Sequence, residues 1–373
     1  MIWKFPYYDI NSGIDWVSIQ KNYDWFREME DIPQDKIWHS EGNVQIHTKM
    51  VCEALINLPE FKELDEQDKH IMVTSALMHD IEKRSTTAFE ERDGRMCVVA
   101  PKHAKKGEYT ARQILYKDIV TPFHIREEIC KLVKYHGEPL WKNADLERTV
   151  VEISFYTSNY KLAMLSKADV LGRICPDTLI LLDKIEFFKL AAETFGCLHG
   201  KRMFESDLSR YHYFTKETFI DYVPYDETKF NVILVSGIAG SGKDYYINKN
   251  ITLPMISLDA IRREKGIKPT DSKGNGQVIQ EAMELCKVKM RKKESFVFNA
   301  TNITKDLRNK WISLFEEYGA KVDIHYIETP YKDLLKQNVD REFPIPTEVV
   351  HNMIKKLEIP EFNECNDIKF IIN

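Results

Sequence analysis

The sequence predicts a multidomain protein, with an all-α domain in its N-terminal half and an α/β domain with a parallel sheet in its C-terminal half. Two observations favour this fold class. From Asp35 to about Gly200, apolar residues recur at intervals of three and four, as on the buried face of a helix. After about residue 229, short apolar runs alternate with helical segments, which is typical of a parallel sheet. We therefore predict an N-terminal domain at 1–200, a connecting segment at 201–228 and a C-terminal domain at 229–373.

Local patterns predict the individual elements. Helical periodicity in the N-terminal half covers Val44 to Leu58, Asp68 to Ile81 and Ile125 to Tyr135. The turn sequence Arg92-Asp93-Gly94-Arg95 separates the two strands of a predicted hairpin, Thr86 to Glu91 and Met96 to Ala100. The connecting segment is crowded with Tyr, Phe and Asp and has no clear period. The strands predicted for the C-terminal half are Asn231 to Ser236, Met255 to Leu258, Ser295 to Asn299 and Val322 to Ile327.

Bulk composition limits the classes of protein that fit the sequence. The apolar fraction of 43% is ordinary for a folded globular protein, and no stretch approaches the about 20 apolar residues of a membrane helix. We therefore expect a soluble, cytoplasmic protein with no membrane partner. Seven cysteines without a C-x-x-C pair argue against a disulfide framework and a thiolate zinc site. A net charge of −5 excludes a protein that coats nucleic acid through bulk charge, but a local basic groove stays compatible with it.

A phosphate loop follows the first strand of the C-terminal half. The strand Val232 to Val235 leads directly into GIAGSGKD, Gly237 to Asp244, and a helical segment follows. In this context backbone N–H groups and a helix N-terminus point at phosphates, and Lys243 reaches the β and γ oxygens. Asp244 stands where a Ser or Thr commonly ligates magnesium, and a carboxylate can bind Mg²⁺ directly or through water. We predict binding of ATP or another nucleoside triphosphate with Mg²⁺ by Gly237, Gly240, Ser241, Gly242, Lys243 and Asp244.

An aspartate and an arginine follow the next predicted strand. Asp259 lies just after the strand end, and Arg262 lies one helical turn beyond it. Both side chains then project at the carboxyl edge of the sheet, where ligands of such folds bind. Transfer of a phosphoryl group to a hydroxyl requires a general base and an anion-binding group, so Asp259 is predicted to accept the proton and Arg262 to hold the acceptor. The alternative is a helix N-cap aspartate beside a surface arginine.

This order of motifs resembles the polynucleotide 5′-kinase family, in which a phosphate loop, a strand-terminal D-x-x-R and a later arginine-bearing helical lid follow one another. The strand ending at Asn299 resembles the second sheet motif of that family, with asparagine where many phosphate-loop enzymes have aspartate. The resemblance implies nucleotide contacts for Arg308. The segment Gln337 to Arg341, followed by Pro344-Ile345-Pro346, resembles the lid, which implies that Arg341 binds the nucleotide and stabilises charge on the transferred phosphate.

Histidines and aspartates are scattered over the helical half. They are His47, His79-Asp80, His103, His136 and Asp169. Adjacent His79 and Asp80 on an apolar helix, Met72 to Ile81, are costly to bury unless something compensates both groups. A metal ion does so, and imidazole with carboxylate suits a divalent transition metal or magnesium. Ligands from separate helices suit a site inside a helical bundle.

The arrangement of these residues resembles the HD superfamily of metal-dependent phosphohydrolases. The resemblance implies that His47, His79, Asp80 and Asp169 bind a metal that activates water and polarises the phosphoryl group. It gives His103 and His136 two possible roles, as ligands of a second ion or as contacts of the scissile phosphate. The number of bound ions, one or two, therefore stays open. Lys83 lies one turn after the His-Asp pair and is predicted to neutralise the substrate phosphate. His39 is left open between a residue that supports a ligand and a cap, and it is not counted among the ligands.

Both resemblances together cover nearly the whole chain and point to the bacterial HD-Pnk enzymes, which fuse an HD phosphatase to a polynucleotide kinase. That family implies healing of RNA ends. One module removes a 2′,3′-cyclic phosphate or a 2′- or 3′-phosphate, and the other phosphorylates a 5′-hydroxyl. The implied partners are RNA ends, with DNA ends as the other option, a nucleoside triphosphate and a separate ligase.

Two alternatives stay open at the level of sequence. One is a nucleotidase of small molecules fused to a nucleoside or metabolite kinase, in which a closed acceptor pocket would lie beside Asp259. The other is a regulatory protein whose nucleotide binding switches a degenerate HD module.

Overall fold

The computed structural model describes residues 2–141, 144–268, 271–340 and 344–373. The chain forms two compact units, and the boundary between them falls between Arg202 and Met203. The first unit is helical and the second contains a parallel sheet, as the sequence predicts. Among the described residues, no helix is both long enough and apolar enough to cross a bilayer.

The first unit begins with a two-stranded hairpin, β1 (Tyr8–Asp9) and β2 (Gly13–Ile14), that the sequence analysis did not predict. A 3₁₀ turn, Glu28–Asp31, follows the first two helices. The helices of this unit are α1 (Trp16–Asn22), α2 (Asp24–Arg27), α3 (Val44–Asn57), α4 (Pro59–Lys62), α5 (Glu66–Met78), α6 (Lys83–Thr86), α7 (His103–Lys117), α8 (Phe123–Tyr135), α9 (Glu138–Trp141), α10 (Leu146–Ile153), α11 (Asn159–Leu171) and α12 (Thr178–Thr194).

The predicted hairpin is present in the first unit as β3 (Ala88–Arg92) and β4 (Arg95–Val99), paired antiparallel. Asp93 and Gly94 form its turn with positive φ angles of 53° and 73°, a conformation that Asp and Gly tolerate better than most residues. Helix α5 ends at Met78, earlier than the predicted Ile81. His79 and Asp80 therefore lie at and just after the helix end, where the chain turns and the amide of Lys83 donates to the carbonyl of Asp80.

The second unit is built on five parallel strands in the order β6-β7-β5-β8-β9. The strands are β5 (Phe230–Ser236), β6 (Met255–Ser257), β7 (Phe296–Asn299), β8 (Ala320–Glu328) and β9 (Asp367–Ile372). The helices are α13 (Asp207–Lys216), α14 (Lys243–Asn250), α15 (Leu258–Lys265), α16 (Ser272–Arg291), α17 (Lys305–Glu317), α18 (Tyr331–Val339) and α19 (Thr347–Lys355). The four predicted strands are confirmed. The edge strand β9 was missed because exposed Asp367 and Lys369 interrupt its apolar run.

Strand register fixes the position of the second candidate site. Val235 of β5 and Ser257 of β6 both pair with Asn299 at the end of β7. The carboxyl ends of these three neighbouring strands therefore lie at one edge of the sheet, where ligands of open parallel sheets bind.

Candidate metal centre and phosphate-loop site

Six residues predicted as metal ligands meet inside the first unit, although they lie up to 122 positions apart in the sequence. They come from different elements: His47 from α3, His79 and Asp80 from the end of α5, His103 from the start of α7, His136 from the end of α8 and Asp169 from α11. All except His103 are buried. Burial of so many ionisable groups in one place is favourable only if they are paired or coordinate a cation.

Backbone and side-chain acceptors orient the four imidazoles. The Nδ1 atoms of His79, His103 and His136 lie 2.7–2.8 Å from the carbonyl oxygens of Ala76, Ala100 and Val133. The Nδ1 of His47 lies 2.9 Å from Oε1 of Glu41 and 3.2 Å from the Gly172 carbonyl. With Nδ1–H donating to these oxygens, each Nε2 keeps its lone pair for a metal ion.

Asp80 lies between two pairs of histidines. Its Oδ2 is 3.2 Å from Nε2 of His79 and 3.5 Å from Nε2 of His47. Its Oδ1 is 3.3 Å from Nε2 of His103 and 3.9 Å from Nε2 of His136. The two carboxylate oxygens thus serve two neighbouring ligand groups, so the donor set fits two ions with Asp80 shared between them.

The facing imidazole nitrogens show that the site suits cations. The two Nε2 atoms of His47 and His79 are 3.4 Å apart, and the same separation holds for His103 and His136. Two lone pairs at this distance repel unless a cation or a proton lies between them. Burial and the neighbouring His79 and His103 lower the pKa of His136 to about 3, which keeps its ring neutral at pH 7. This donor set fits a divalent ion, which when bound activates water and polarises a phosphoryl oxygen.

Asp169 completes the first ligand group. Its Oδ1 lies 3.1 Å from Nε2 of His47, and both of its oxygens accept hydrogen bonds from Arg173 at 2.8 and 2.9 Å. Burial raises the pKa of Asp169, but the Arg173 charge and the His47 contact outweigh it and hold the pKa well below the usual range. The carboxylate is therefore ionised, as a metal ligand must be.

Three supporting residues at this site were not assigned from the sequence. Glu41 accepts from both His39 and His47, at 2.8 and 2.9 Å, so His39 supports a candidate ligand through a shared carboxylate. Arg173 pairs with Asp169. Glu41 lies in the same sequence motif as His47, and Arg173 lies in the same motif as Asp169. Only the fold shows which atoms the side chains of Glu41 and Arg173 contact.

Lys83 lies beside the His-Asp pair, as its position in the sequence predicts. Its Nζ is 2.7 Å from Oδ2 of Asp80 and donates to Oε1 of Gln34 at 2.7 Å. Its side chain is 12% exposed, so the ammonium is close to the metal ligands and still reachable from solvent. This position is compatible with binding a substrate phosphate.

The phosphate loop of the second unit joins β5 to α14. Gly240 and Gly242 have φ angles of +92° and +86°, which favour glycine. A Cβ at Gly237 would lie 2.4 Å from the Ile327 carbonyl oxygen, so this position also excludes a side chain. Lys243 opens α14 and donates to the carbonyls of Gly237 and Ile238, both at 2.9 Å, so its ammonium lies over the loop.

Asp244 and Asn299 lie side by side at the loop. The Oδ1 of Asp244 accepts from Nδ2 of Asn299 at 2.6 Å. Two buried oxygens nearby, Oδ1 of Asn299 and Oγ of Ser241, have no hydrogen-bond partner among the described residues. Carboxylate, amide and hydroxyl oxygens are ligands that Mg²⁺ accepts, so the residues present fit a magnesium ion.

Asp259 and Arg262 lie together on α15, which begins where β6 ends. Their side chains form an ion pair, and Nε of Arg262 donates to Oδ1 of Asn275 at 2.7 Å. The Asp259 side chain is 50% exposed. The N-cap of α15 is Ser257, whose side chain accepts from the Ala260 amide at 3.3 Å, so the alternative of Asp259 as the N-cap is wrong.

The structure contradicts the predicted nucleotide contact of Arg308. Its guanidinium is fully buried and forms a two-pronged pair with Glu364, with N–O distances of 2.7 and 2.8 Å. It also donates to the carbonyls of Asn302 and Glu358, at 3.2 and 2.7 Å. A side chain committed to these acceptors cannot also bind a phosphate. Arg341, the other predicted arginine, lies outside the described residues.

Comparison with protein families assigns a class to each unit. Residues 43–163 match the HD domain family, and residues 232–360 match an AAA domain family. Together with the helical bundle, the phosphate loop and the five-stranded parallel sheet, these matches define a helical HD phosphohydrolase domain followed by a P-loop kinase-like domain.

Individual relatives resemble part of the chain. L-seryl-tRNA(Sec) kinase of Methanococcus maripaludis is 25% identical over an alignment of 142 residues, and the match covers 35% of this chain and 53% of that protein. The chain thus spans about half the length of the curated relative it matches. Solved structures with limited similarity include a putative kinase from Chloroflexus aurantiacus (14% identity, TM-score 0.33) and a gluconokinase from Sinorhizobium meliloti (18% identity, TM-score 0.28). Each covers 39% of this chain, which spans 86% and 84% of those two structures.

Proposed function

We propose that the protein is a bifunctional enzyme that prepares broken RNA ends for ligation. The P-loop domain transfers the γ-phosphoryl group of a nucleoside triphosphate to a 5′-hydroxyl, and the HD domain removes a 2′,3′-cyclic phosphate or a 2′- or 3′-phosphate. RNA ends are the expected substrates, DNA ends are the other option, and a separate ligase would seal the products.

The exposure of Asp259 is the observation that favours a polymeric acceptor over a small molecule. The carboxylate lies at the carboxyl edge of the sheet and is half exposed, whereas Lys243 at the donor side is 8% exposed. An open acceptor side accommodates the end of a long strand. The name of the Methanococcus maripaludis relative, L-seryl-tRNA(Sec) kinase, supports an acceptor hydroxyl that is attached to RNA.

Each residue of the kinase site has a defined part in this reaction. Asp259 accepts the proton of the 5′-hydroxyl while the hydroxyl oxygen bonds to the γ phosphorus. The bond between the γ phosphorus and the β–γ bridging oxygen breaks, which releases the nucleoside diphosphate. Lys243 and the loop amides would hold the β and γ oxygens, and Asp244 would hold Mg²⁺. Arg262 binds the acceptor phosphate. Arg341 remains a prediction for stabilising the transferred group.

In the HD domain, His47, His79, Asp80 and Asp169 would hold one divalent ion, and Asp80, His103 and His136 would hold a second. The neighbouring cation Lys83 binds the substrate phosphate, because an ammonium beside metal ligands attracts an anion. The buried carboxylates stay ionised next to Lys83 and Arg173.

A paired assay on one oligoribonucleotide with a 5′-hydroxyl and a 3′-phosphate tests both halves. We expect transfer of labelled γ-phosphate from ATP to the 5′ end, and metal-dependent release of phosphate from the 3′ end. Asp259→Ala should abolish labelling and retain release, and His79→Ala should do the reverse, so each variant is the control for the other.

Three results would contradict the proposal. One is the absence of labelling by the wild-type protein, and another is labelling of a free nucleoside in preference to the oligonucleotide. The third is phosphate release that persists in His79→Ala or after a chelator has removed the metal.

A further inference from the structure

A cleft of about 360 Å³ opens beside the metal ligands of the HD domain. Its lining includes His103, a candidate ligand, and Lys83, which contacts Asp80. The cleft therefore reaches the place where a scissile phosphate would bind. Its volume lies at the lower end of the range of small-ligand pockets, about 300–1,000 Å³.

Two tryptophans with exposed rings line this cleft. Trp38 is 44% exposed and Trp141 is 59% exposed. One exposed aromatic residue is ordinary, but two around one cleft next to a catalytic centre make a surface for a flat, apolar ligand. Lys184 lies with its Nζ 5.2 Å from the ring centroid of Trp141, a cation–π contact that helps to hold that ring in place.

The remaining lining has the character of a site for an aromatic ring joined to an anion. Val98, Val99 and Ala100 supply apolar contacts at the end of β4. Lys83 and Arg173, which contact the candidate ligands Asp80 and Asp169, supply the positive charge of the lining. The lining also contains the carboxylates of Asp177 and of Asp35, which is paired with Arg95 at 2.8 Å. Single-stranded nucleic acids are held by this combination, because their bases stack on aromatic side chains and their phosphates attract cations.

We infer that Trp38 and Trp141 form a nucleobase-binding site of the phosphohydrolase, which selects nucleoside 2′- or 3′-phosphates over phosphate esters without a base. This inference rests on the proposed phosphatase activity and adds the feature that the enzyme recognises. Stacking on the two rings places the ribose phosphate against Lys83 and the candidate metal ligands.

The test compares two substrates, adenosine 3′-monophosphate and methyl riboside 3-phosphate, which share the sugar and the phosphate but not the base. We expect Trp38→Ala and Trp141→Ala each to lower the ratio of kcat/KM for the nucleotide to kcat/KM for the riboside. The expected factor is about 5- to 150-fold, which corresponds to the about 1–3 kcal/mol lost per base when a stacking aromatic is replaced by alanine. The loss should be in KM for the nucleotide rather than in kcat.

Two variants make this test specific. Trp38→Phe and Trp141→Phe keep an aromatic face and should restore most of the ratio. Phe187→Ala removes another exposed aromatic ring of the same domain, 64% exposed and outside the cleft, and should leave the ratio at the wild-type value.

An unchanged ratio in either tryptophan-to-alanine variant would overturn the two-ring site, even if the protein dephosphorylates RNA as proposed. Equal kcat/KM of the wild-type enzyme for the two substrates would also overturn it. In contrast, failure of the proposed phosphatase would show as no release from either substrate or from a 3′-phosphorylated oligoribonucleotide.

Discussion

Asp244 follows the phosphate-loop lysine, at the position where a hydroxyl residue commonly binds magnesium. Its carboxylate accepts a hydrogen bond of 2.6 Å from Asn299, which stands where many phosphate-loop enzymes have an aspartate. The pair therefore contains one carboxylate and one amide, but with the carboxylate on the loop and the amide on the strand. We interpret this as a shift of the carboxylate from the strand to the loop, which keeps one negative charge available for Mg²⁺.

This interpretation predicts the metal dependence of Asp244 variants. Asp244→Ala should raise the Mg²⁺ concentration for half-maximal kinase activity by about 10- to 100-fold, a typical effect of losing a residue that supports a metal. Asp244→Ser, which restores the common hydroxyl, should have a half-maximal Mg²⁺ concentration between those of the wild type and Asp244→Ala. Mg²⁺ titrations of labelling rate measure this, and wild-type Mg²⁺ dependence in Asp244→Ala would refute it.

Arg308 shows that a cation near a phosphate loop in sequence can have a structural role. Its guanidinium pairs with the fully buried carboxylate of Glu364. We predict that Arg308→Ala lowers the free energy of unfolding of the second unit by about 3–5 kcal/mol, because it leaves a buried carboxylate without its partner. The protein that remains folded should keep its KM for ATP.

Denaturant unfolding and ATP kinetics on the same preparation separate these effects. A large rise in the KM for ATP of Arg308→Ala without loss of stability would show that Arg308 contributes to nucleotide binding. Lys249→Ala, on an exposed part of α14, is a suitable control for the loss of a positive charge.

At the scale of elements, the close approach of α3 and α11 positions the first ligand group. A Cβ at Gly172, just after α11, would lie 2.5 Å from the backbone nitrogen of Val51 in α3. The carbonyl of Gly172 also accepts from His47 at 3.2 Å. Glycine at 172 thus allows His47 of α3 and Asp169 of α11 to approach within 3.1 Å.

Gly172→Ala should therefore affect both stability and the metal centre. We expect a loss of about 1–3 kcal/mol in the free energy of unfolding, the usual cost of overpacking, together with weaker binding of Mn²⁺. Calorimetry with Mn²⁺ measures the affinity. Gly200→Ala is the matched control, since a Cβ at Gly200 would meet nothing within 4 Å. Unaltered Mn²⁺ affinity in a destabilised Gly172→Ala variant would show that the approach of the helices does not control the site.

At the scale of the whole molecule, part of the predicted connecting segment belongs to the second unit. Helix α13 packs there, where the Arg210 guanidinium donates to the carbonyls of Phe362 and Asn366. The Tyr211 hydroxyl donates to Oε1 of Glu316 at 2.6 Å. Both side chains are buried, so α13 contributes to the core of the kinase-like unit.

A comparison of two truncated chains tests this contribution. A chain that begins at Met203 should be more stable than one that begins at Lys229 by about 2–5 kcal/mol, the range for losing one large buried side chain. Urea unfolding of both chains provides the measurement. Equal urea midpoints of the two chains would mean that α13 is a linker that adds no stability. The predicted boundary at residue 229 would then describe the folding unit.

The sequence predicts much of the fold because its signals are local. The period of apolar residues shows the helices and the central strands, and glycines mark the phosphate loop. Apolar periodicity does not predict strand β9 or the hairpin of β1 and β2. Short or edge strands carry polar residues on an exposed face and lack a continuous apolar run.

Residue type and spacing by themselves determined two candidate sites: Lys243 in a glycine-rich loop after a strand, and a set of histidines and aspartates too costly to bury without a cation. Only the tertiary structure decided what each side chain contacts. It placed Asp80 between two pairs of histidines, joined His39 to His47 through Glu41, paired Arg308 with the buried Glu364 and brought Trp38 and Trp141 to one cleft. The physical reason is that these contacts join residues far apart in the chain, and the packing of helices and strands, rather than local spacing, fixes their distances and burial.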